Sequence, residues 1–235
     1  GFKVSKAVTG RVEINVAYKD GPAMKSVQDR IVAAMREIPG VEAVGVTGSF
    51  PLFKNFPVGS FPIRGSTMGQ DDTFPSGMVI SATPEYFGAM GIRIIEGRGF
   101  TAADLEPQAR RVFMVDRNFA EKYFPGRSAV GESFAFGPPN QKPEQWPLIV
   151  GVVAPAKLSG MEDVSGVPFV YTTLGPAVAF SMVLRTTRSL AEMTPLMRQK
   201  LHPIDHSLPL YGVTSLQLWV DGECVVEVEH WADLP

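Results

Sequence analysis

Val12, Ile14 and Val16 alternate with Arg11, Glu13 and Asn15, the period of two expected of a strand that lays one face on a core. The period then lengthens. Met24, Val27, Ile31, Ala34, Met35 and Ile38 recur at three- and four-residue steps, which puts one apolar stripe on a helix that Pro39-Gly40 ends. A second strand over 41–47 follows a very short connection. Strand, helix and strand within so few residues make a βαβ unit, with a parallel pair packed by its helix as the natural product.

From 48 to 77 the pattern changes. Prolines at 51, 57, 62 and 75 rule out a regular helix, and the stretch reads as loop with a short edge strand near 61–64. A strand over 78–82 leads to Thr83-Pro84-Glu85, a cap and first helical position for a short helix closed by Gly91. Residues 83–166 then alternate short elements with turn signals. Strands are predicted over 92–96, 112–115, 133–136 and 148–153, a capping box over 101–104, and a helix from Asp116 to Tyr123 that Pro125-Gly126 breaks. Residues 137–147, with four prolines, read as a hairpin loop. Longer elements return at the end: strands near 168–172, 180–185 and 209–213, and a helix over 190–201 in which Pro195 should be a start or a kink. The outer thirds resemble each other, and a compact α+β insert lies between them.

Composition narrows the class of partner. With 45% hydrophobic and 20% charged residues over 235 positions, the chain can bury a substantial core. Its 22 basic and 24 acidic residues include no basic block, which makes nucleic acid an unsuitable partner. One cysteine, Cys224, excludes an internal disulfide framework and a multi-cysteine zinc site. No window has the ~18 to 20 apolar residues of a membrane span.

Several phrases, in order, resemble the periplasmic core domain of MacB-type ABC-transporter permeases. They are Ile38-Pro39-Gly40-Val41-Glu42-Ala43-Val44, the run 79–92 (VISATPEYFGAMGI), the run 96–104 (EGRGFTAAD), the run 115–126 (VDRNFAEKYFPG), Ala129-Val130-Gly131-Glu132, Ile149-Val150-Gly151-Val152-Val153 and Pro168-Phe169-Val170-Tyr171. The resemblance implies an α+β fold in which a split porter-like βαβ subdomain (1–82 and 167–221) carries a small inserted α+β subdomain (83–166), with 222–235 as a tail toward the membrane or a junction. It also implies transmembrane helices before Gly1 and after about Asp221, and a cytoplasmic ABC ATPase acting through the membrane part. A periplasmic adaptor or an exported cargo is the implied partner on the outer side. The function implied is non-catalytic transmission of ATP-driven motion, on the periplasmic side of the bacterial inner membrane. The end departs from the pattern: 224–235 carries Glu227, Glu229, His230 and Asp233 where family members turn basic and apolar. The alternative is a free-standing periplasmic module that binds a peptide or lipid in a groove between subdomains.

Candidate chemistry is sparse. The stretch 126–133 has the glycine spacing of a phosphate loop, but Glu132 stands where the motif needs Lys, and a strand rather than a helix follows. Gly126 and Gly131 are then turn formers. His202 and His206 have the spacing of metal ligands on one helical face, yet Pro203 lies between them and no Glu completes the motif, so they read as solvated helix-end residues. Asp71, Asp72, Asp104 and Glu106 lie in polar loops, where solvated carboxylates are the default. No nucleophile, base and orienter come together, and neither a catalytic residue, a cofactor nor a metal is expected. The proline-bounded aromatics Phe50, Phe53, Phe56 and Phe61 are the candidate contact for a partner or apolar substrate; the competing reading is a lid over the core.

Overall fold

The computed structural model describes residues 6–14, 20–48, 58–61, 76–106, 108–135, 142, 145–155 and 167–220. Its first unit is built from β1 (Ala7–Glu13), α1 (Gly21–Arg36), β2 (Val41–Thr47), β9 (Ala179–Thr186), α4 (Leu190–Leu201) and β10 (Leu210–Ser215). β1 and β2 both pair antiparallel with β9, so they run parallel to each other with β9 between them. In the same way β1 separates β9 from β10. Two interleaved split βαβ units result, in the strand order β10-β1-β9-β2. The expected parallel pair is thus present but not adjacent, because a strand from the far end of the chain fills the gap.

Both helices lie on one face of these four strands. Val27, Ile31 and Met35 of α1 and Met193, Met197 and Leu201 of α4 share one core with strand residues such as Val12, Val46 and Met182. Asp20 caps α1 by accepting from the Ala23 amide at 2.7 Å, and Pro22 occupies the first turn, where its missing N–H is not needed. Ser189 and Glu192 form a reciprocal capping box that starts α4 at Leu190, five residues before Pro195. The helix runs on through that proline, and Thr194 donates its hydroxyl to the Leu190 carbonyl at 2.9 Å. β1 begins earlier than its alternation suggests, because Ala7, Val8 and Thr9 are covered on both faces.

The rest of the sheet comes from β3 (Val58–Ser60), β4 (Ser76–Ala82), β5 (Ile94–Gly97), β6 (Val112–Asp116), β7 (Leu148–Val153) and β8 (Phe169–Thr173). β4 runs parallel to β8 over five register pairs, β8 antiparallel to β6, β6 parallel to β7, and β5 antiparallel to β7. Helix α3 (Arg117–Tyr123) covers one face, over a core of Phe113, Phe119, Phe124 and Phe134. Instead of the expected strand over 133–136, Ser133 makes an isolated bridge to Leu148. Helices α2 (Tyr86–Met90) and α5 (Leu216–Val220) complete the described elements, together with a short 3-10 turn over Ala102–Leu105. The mixed α+β architecture expected from the sequence, with an insert between two halves of a split βαβ unit, is the one observed. None of the described helices is long and apolar enough to cross a membrane.

Candidate functional site

The two groups of strands meet at one place. Among the described residues β2 and β4 share a single register pair, Thr47 with Ala82, framed by the Thr83 amide on the Val46 carbonyl at 2.9 Å and the Gly48 amide on the Ser81 carbonyl at 3.0 Å. Thr83, expected as a helix cap, instead accepts the Val46 amide on its hydroxyl at 3.1 Å and so adds a side-chain tie to this seam. Elsewhere the described residues hold the sheet by runs of three to seven pairs, so among them the backbone ladder is thinnest here.

Helix α2 backs the seam. A Cβ built on Gly45 would stand 2.4 Å from the Tyr86 Cα and 2.9 Å from its amide nitrogen, so α2 lies on the bare backbone of β2. Gly91, with φ 66°, closes the helix in the left-handed conformation, and the Ile92 amide returns to the Phe87 carbonyl at 2.8 Å. Arg185 on β9 donates to the exposed carbonyls at that end, Gly88 at 3.3 Å and Ala89 at 3.1 Å, placing a cation where the helix end is negative. Beneath α2 a third core joins both strand groups: Ala7, Val183 and Leu216 from one, Ile80, Met114 and Tyr171 from the other, together with Phe87 of α2 itself. Phe87 meets the Tyr171 ring edge-on at 5.2 Å and Phe100 at 5.7 Å. Burial pushes the Tyr86 and Tyr171 phenols well above their ordinary range, which keeps both neutral.

Asp116 anchors the second group from inside. Fully buried, it caps α3 by accepting the Phe119 amide at 2.9 Å, and the same oxygen accepts the Phe169 amide of β8 at 3.0 Å. Its other oxygen is buried without a hydrogen-bond partner. Desolvation raises the carboxyl to a pKa of about 6, against the pull of the backbone amides. A carboxyl raised by burial is a common signature of an active site. Here it accepts a helix amide and a strand amide, close enough to Tyr171 to raise that phenol, and it joins β6, α3 and β8.

The other candidates resolve one by one. Phe61 is fully buried against Phe134 at 5.0 Å and Phe119 at 6.0 Å, the arrangement of a core residue. It offers no ring to a partner in this conformation. Phe50, Phe53 and Phe56 lie outside the described residues, as do Asp71 and Asp72. Gly126 and Gly131 have φ 73° and 91° and shape the loop, while Glu132 pairs with Arg127. Asp104 belongs to the capping box with Thr101 and accepts a two-pronged bond from Arg98, which holds its carboxyl below the usual range. A shallow groove of about 360 Å³ lies beside the start of β1, lined by Lys6, Val8, Arg188, Ser189, Leu190 and Gln217. It lies on the first unit, among residues of β1, β9 and β10 and the start of α4. Sequence reasoning missed Gly45, Asp116 as a cross-strand tie, and Arg185; only Gly45, a glycine inside the run Val44-Gly45-Val46, carries a signal of close backbone approach.

Comparison with known proteins accords with this geometry. The periplasmic region of MacB from Actinobacillus actinomycetemcomitans is similar in structure over 93% of this chain and 92% of its own, with a TM-score of 0.53 and 11% identity. A domain of a putative permease protein from Porphyromonas gingivalis aligns over 92% and 93%, with a TM-score of 0.55 and 14% identity. The extracellular domain of the noncanonic ABC-type transporter YknZ from Gram-positive bacteria aligns over 87% and 100%, with a TM-score of 0.51 and 13% identity. At such identities these likenesses speak for the fold. No curated protein matches the sequence. The family profile of the MacB-like periplasmic core domain matches residues 2–199. The chain belongs to the MacB-like periplasmic core domain family.

Proposed function

We propose that this extracytoplasmic domain of an ABC-type transporter permease is a non-catalytic transmission element, in which the two strand groups move against each other at the β2–β4 seam. The observation that carries the reading is the contrast at the seam. Each strand group has its own core and continuous ladders, while among the described residues one register pair, helix α2 and the core beneath that helix join them. Such an arrangement favours hinge or shear displacement of two rigid bodies over bending within either. Because β4 pairs with β8 over five positions and with β2 at one, β4 and β8 travel with the insert. The moving unit then starts at β3 rather than at 83 and ends at Thr173 rather than at 166. Membrane helices before and after the domain would drive the first unit through β1 and β10, and a cytoplasmic ATPase would supply the motion. The second unit would present it to an adaptor or cargo. Free-standing capture of a peptide or lipid between the units is the alternative reading.

A cross-link tests the proposal. The hydrogen bonds on either side make Thr47 and Ala82 a non-hydrogen-bonded antiparallel pair, for which Cα atoms stand about 4.5 Å apart. That is within reach of a disulfide. With Cys224→Ser as background, Thr47→Cys and Ala82→Cys are introduced into the parent permease. Oxidation is expected to arrest its ATP-driven cycle, and a thiol reductant to restore it. Unchanged turnover and export after complete oxidation would refute a moving seam.

A further inference from the structure

The C-terminal end of α4 holds a feature that transmission does not use. His206 Nδ1 and His202 Nε2 lie 3.0 Å apart, with the two rings edge-to-face at 4.2 Å. Pro203 does not separate them as the sequence suggests. After α4 ends at Leu201, the Ile204 amide bonds the Leu201 carbonyl at 2.9 Å and the Asp205 amide reaches it at 3.3 Å. The chain thus makes one more turn, which returns position 206 to the side of position 202. Both imidazoles are exposed, and Asp205 accepts the Ser207 amide and hydroxyl at 2.8 and 2.7 Å.

Two imidazole nitrogens at hydrogen-bonding distance share one proton between two lone pairs, and a metal ion can take the place of that proton and accept both. We propose that His202 and His206 form a two-imidazole chelate for a divalent first-row transition metal, with Cu²⁺ bound most tightly. Nitrogens 3.0 Å apart subtend about 94° at a metal ~2.05 Å from each. That angle is close to the cis angle of a tetragonal centre and narrower than a tetrahedral one, which favours Cu²⁺ and Ni²⁺ over Zn²⁺. The site lies at the negative end of the α4 dipole, which also suits a cation. Among the described residues no group of three or more His, Cys, Asp or Glu side chains converges, so water completes the coordination. The bound ion would tie the end of α4 to the turn that leads into β10.

Titration of the untagged 235-residue chain with Cu²⁺ at pH 7.5, followed by calorimetry and visible absorption, tests the site. One equivalent should bind, with a rise in the thermal midpoint. His202→Ala and His206→Ala should each weaken it by about tenfold or more, whereas His230→Ala should leave it unchanged. Independently of any variant, Cu²⁺ should selectively broaden the ring resonances of these two histidines in the native chain. Equal affinity in the His202→Ala/His206→Ala double variant, loss on His230→Ala alone, or broadening elsewhere first would each overturn the proposal.

Discussion

Gly45→Ala is expected to lower the unfolding free energy by about 3 kcal/mol, an exceptional cost for one methyl group. The added carbon would stand 2.4 Å from the Tyr86 Cα and 3.1 Å from the Ala89 Cβ. Backbone, unlike the tip of a flexible side chain, cannot step aside unless α2 lifts away from the sheet. Lifting it loosens the buried Tyr86 and Phe87 together with the core that spans the seam. Gly88→Ala on the same helix meets nothing within 4 Å. It should stabilise by up to about 1 kcal/mol through helix propensity. Denaturant unfolding of both variants decides the matter: a neutral Gly45→Ala would mean that α2 does not rest on β2.

The second large effect concerns Asp116 and has a defined pH window. Its carboxyl is raised from the ordinary aspartate range to about 6 in the folded state. Below pH ~4 folded and unfolded chains both hold the proton, and the advantage of the neutral form is fully present. Between pH ~4 and ~6 the folded chain retains a proton that the unfolded chain has released, so stability falls as pH rises. Above that range both are ionised and the loss is constant, at roughly 3 kcal/mol for a shift of about two units. Asp116→Asn keeps an acceptor for the Phe119 and Phe169 amides and cannot ionise. Wild type should therefore lose about 3 kcal/mol relative to Asp116→Asn between pH 4 and 7. Asp104, Glu192 and Glu37, whose carboxyls are lowered by Arg98, Ser189 and Lys200, give stability that is lost toward low pH. They act alike in both proteins and cancel in the difference. Parallel stability curves for the two would show that Asp116 is not a desolvated carboxylate. Asp116→Ala, which leaves both amides without an acceptor, should cost about 2 to 4 kcal/mol at pH 7.

These two residues show where the sequence is legible and where it is not. The helix over Gly21–Arg36 was readable because one apolar stripe and a proline-glycine stop specify it locally. Equally local signals placed α4, α3 and β7. What could not be read was long-range pairing. Nothing near residue 45 announces that β9, from far along the chain, inserts between β1 and β2. The same holds for Asp116: its role as the α3 cap is written in the next three residues, but its bond to Phe169 crosses 53 positions. Phe61, set among prolines, resembled an exposed aromatic because loop composition hides burial supplied by Phe119 and Phe134. The closeness of His202 and His206 is hidden in the sequence because Pro203 reads as a break, although proline is compatible with the first positions of a continuing turn.

Displacement of one strand group against the other can be tested by a distance measurement, without knowledge of the cargo. Spin labels at the exposed positions Arg30 on α1 and Glu121 on α3, in the parent permease with its ATPase, report across the seam. A second pair at Arg30 and Lys200 reports within the first group. Trapping the ATP-bound state is expected to shift the first distance distribution by several ångströms, on the order of known hinge and shear motions, and to leave the second unchanged. Two distributions that remain the same with and without nucleotide, while the ATPase cycles, would contradict it.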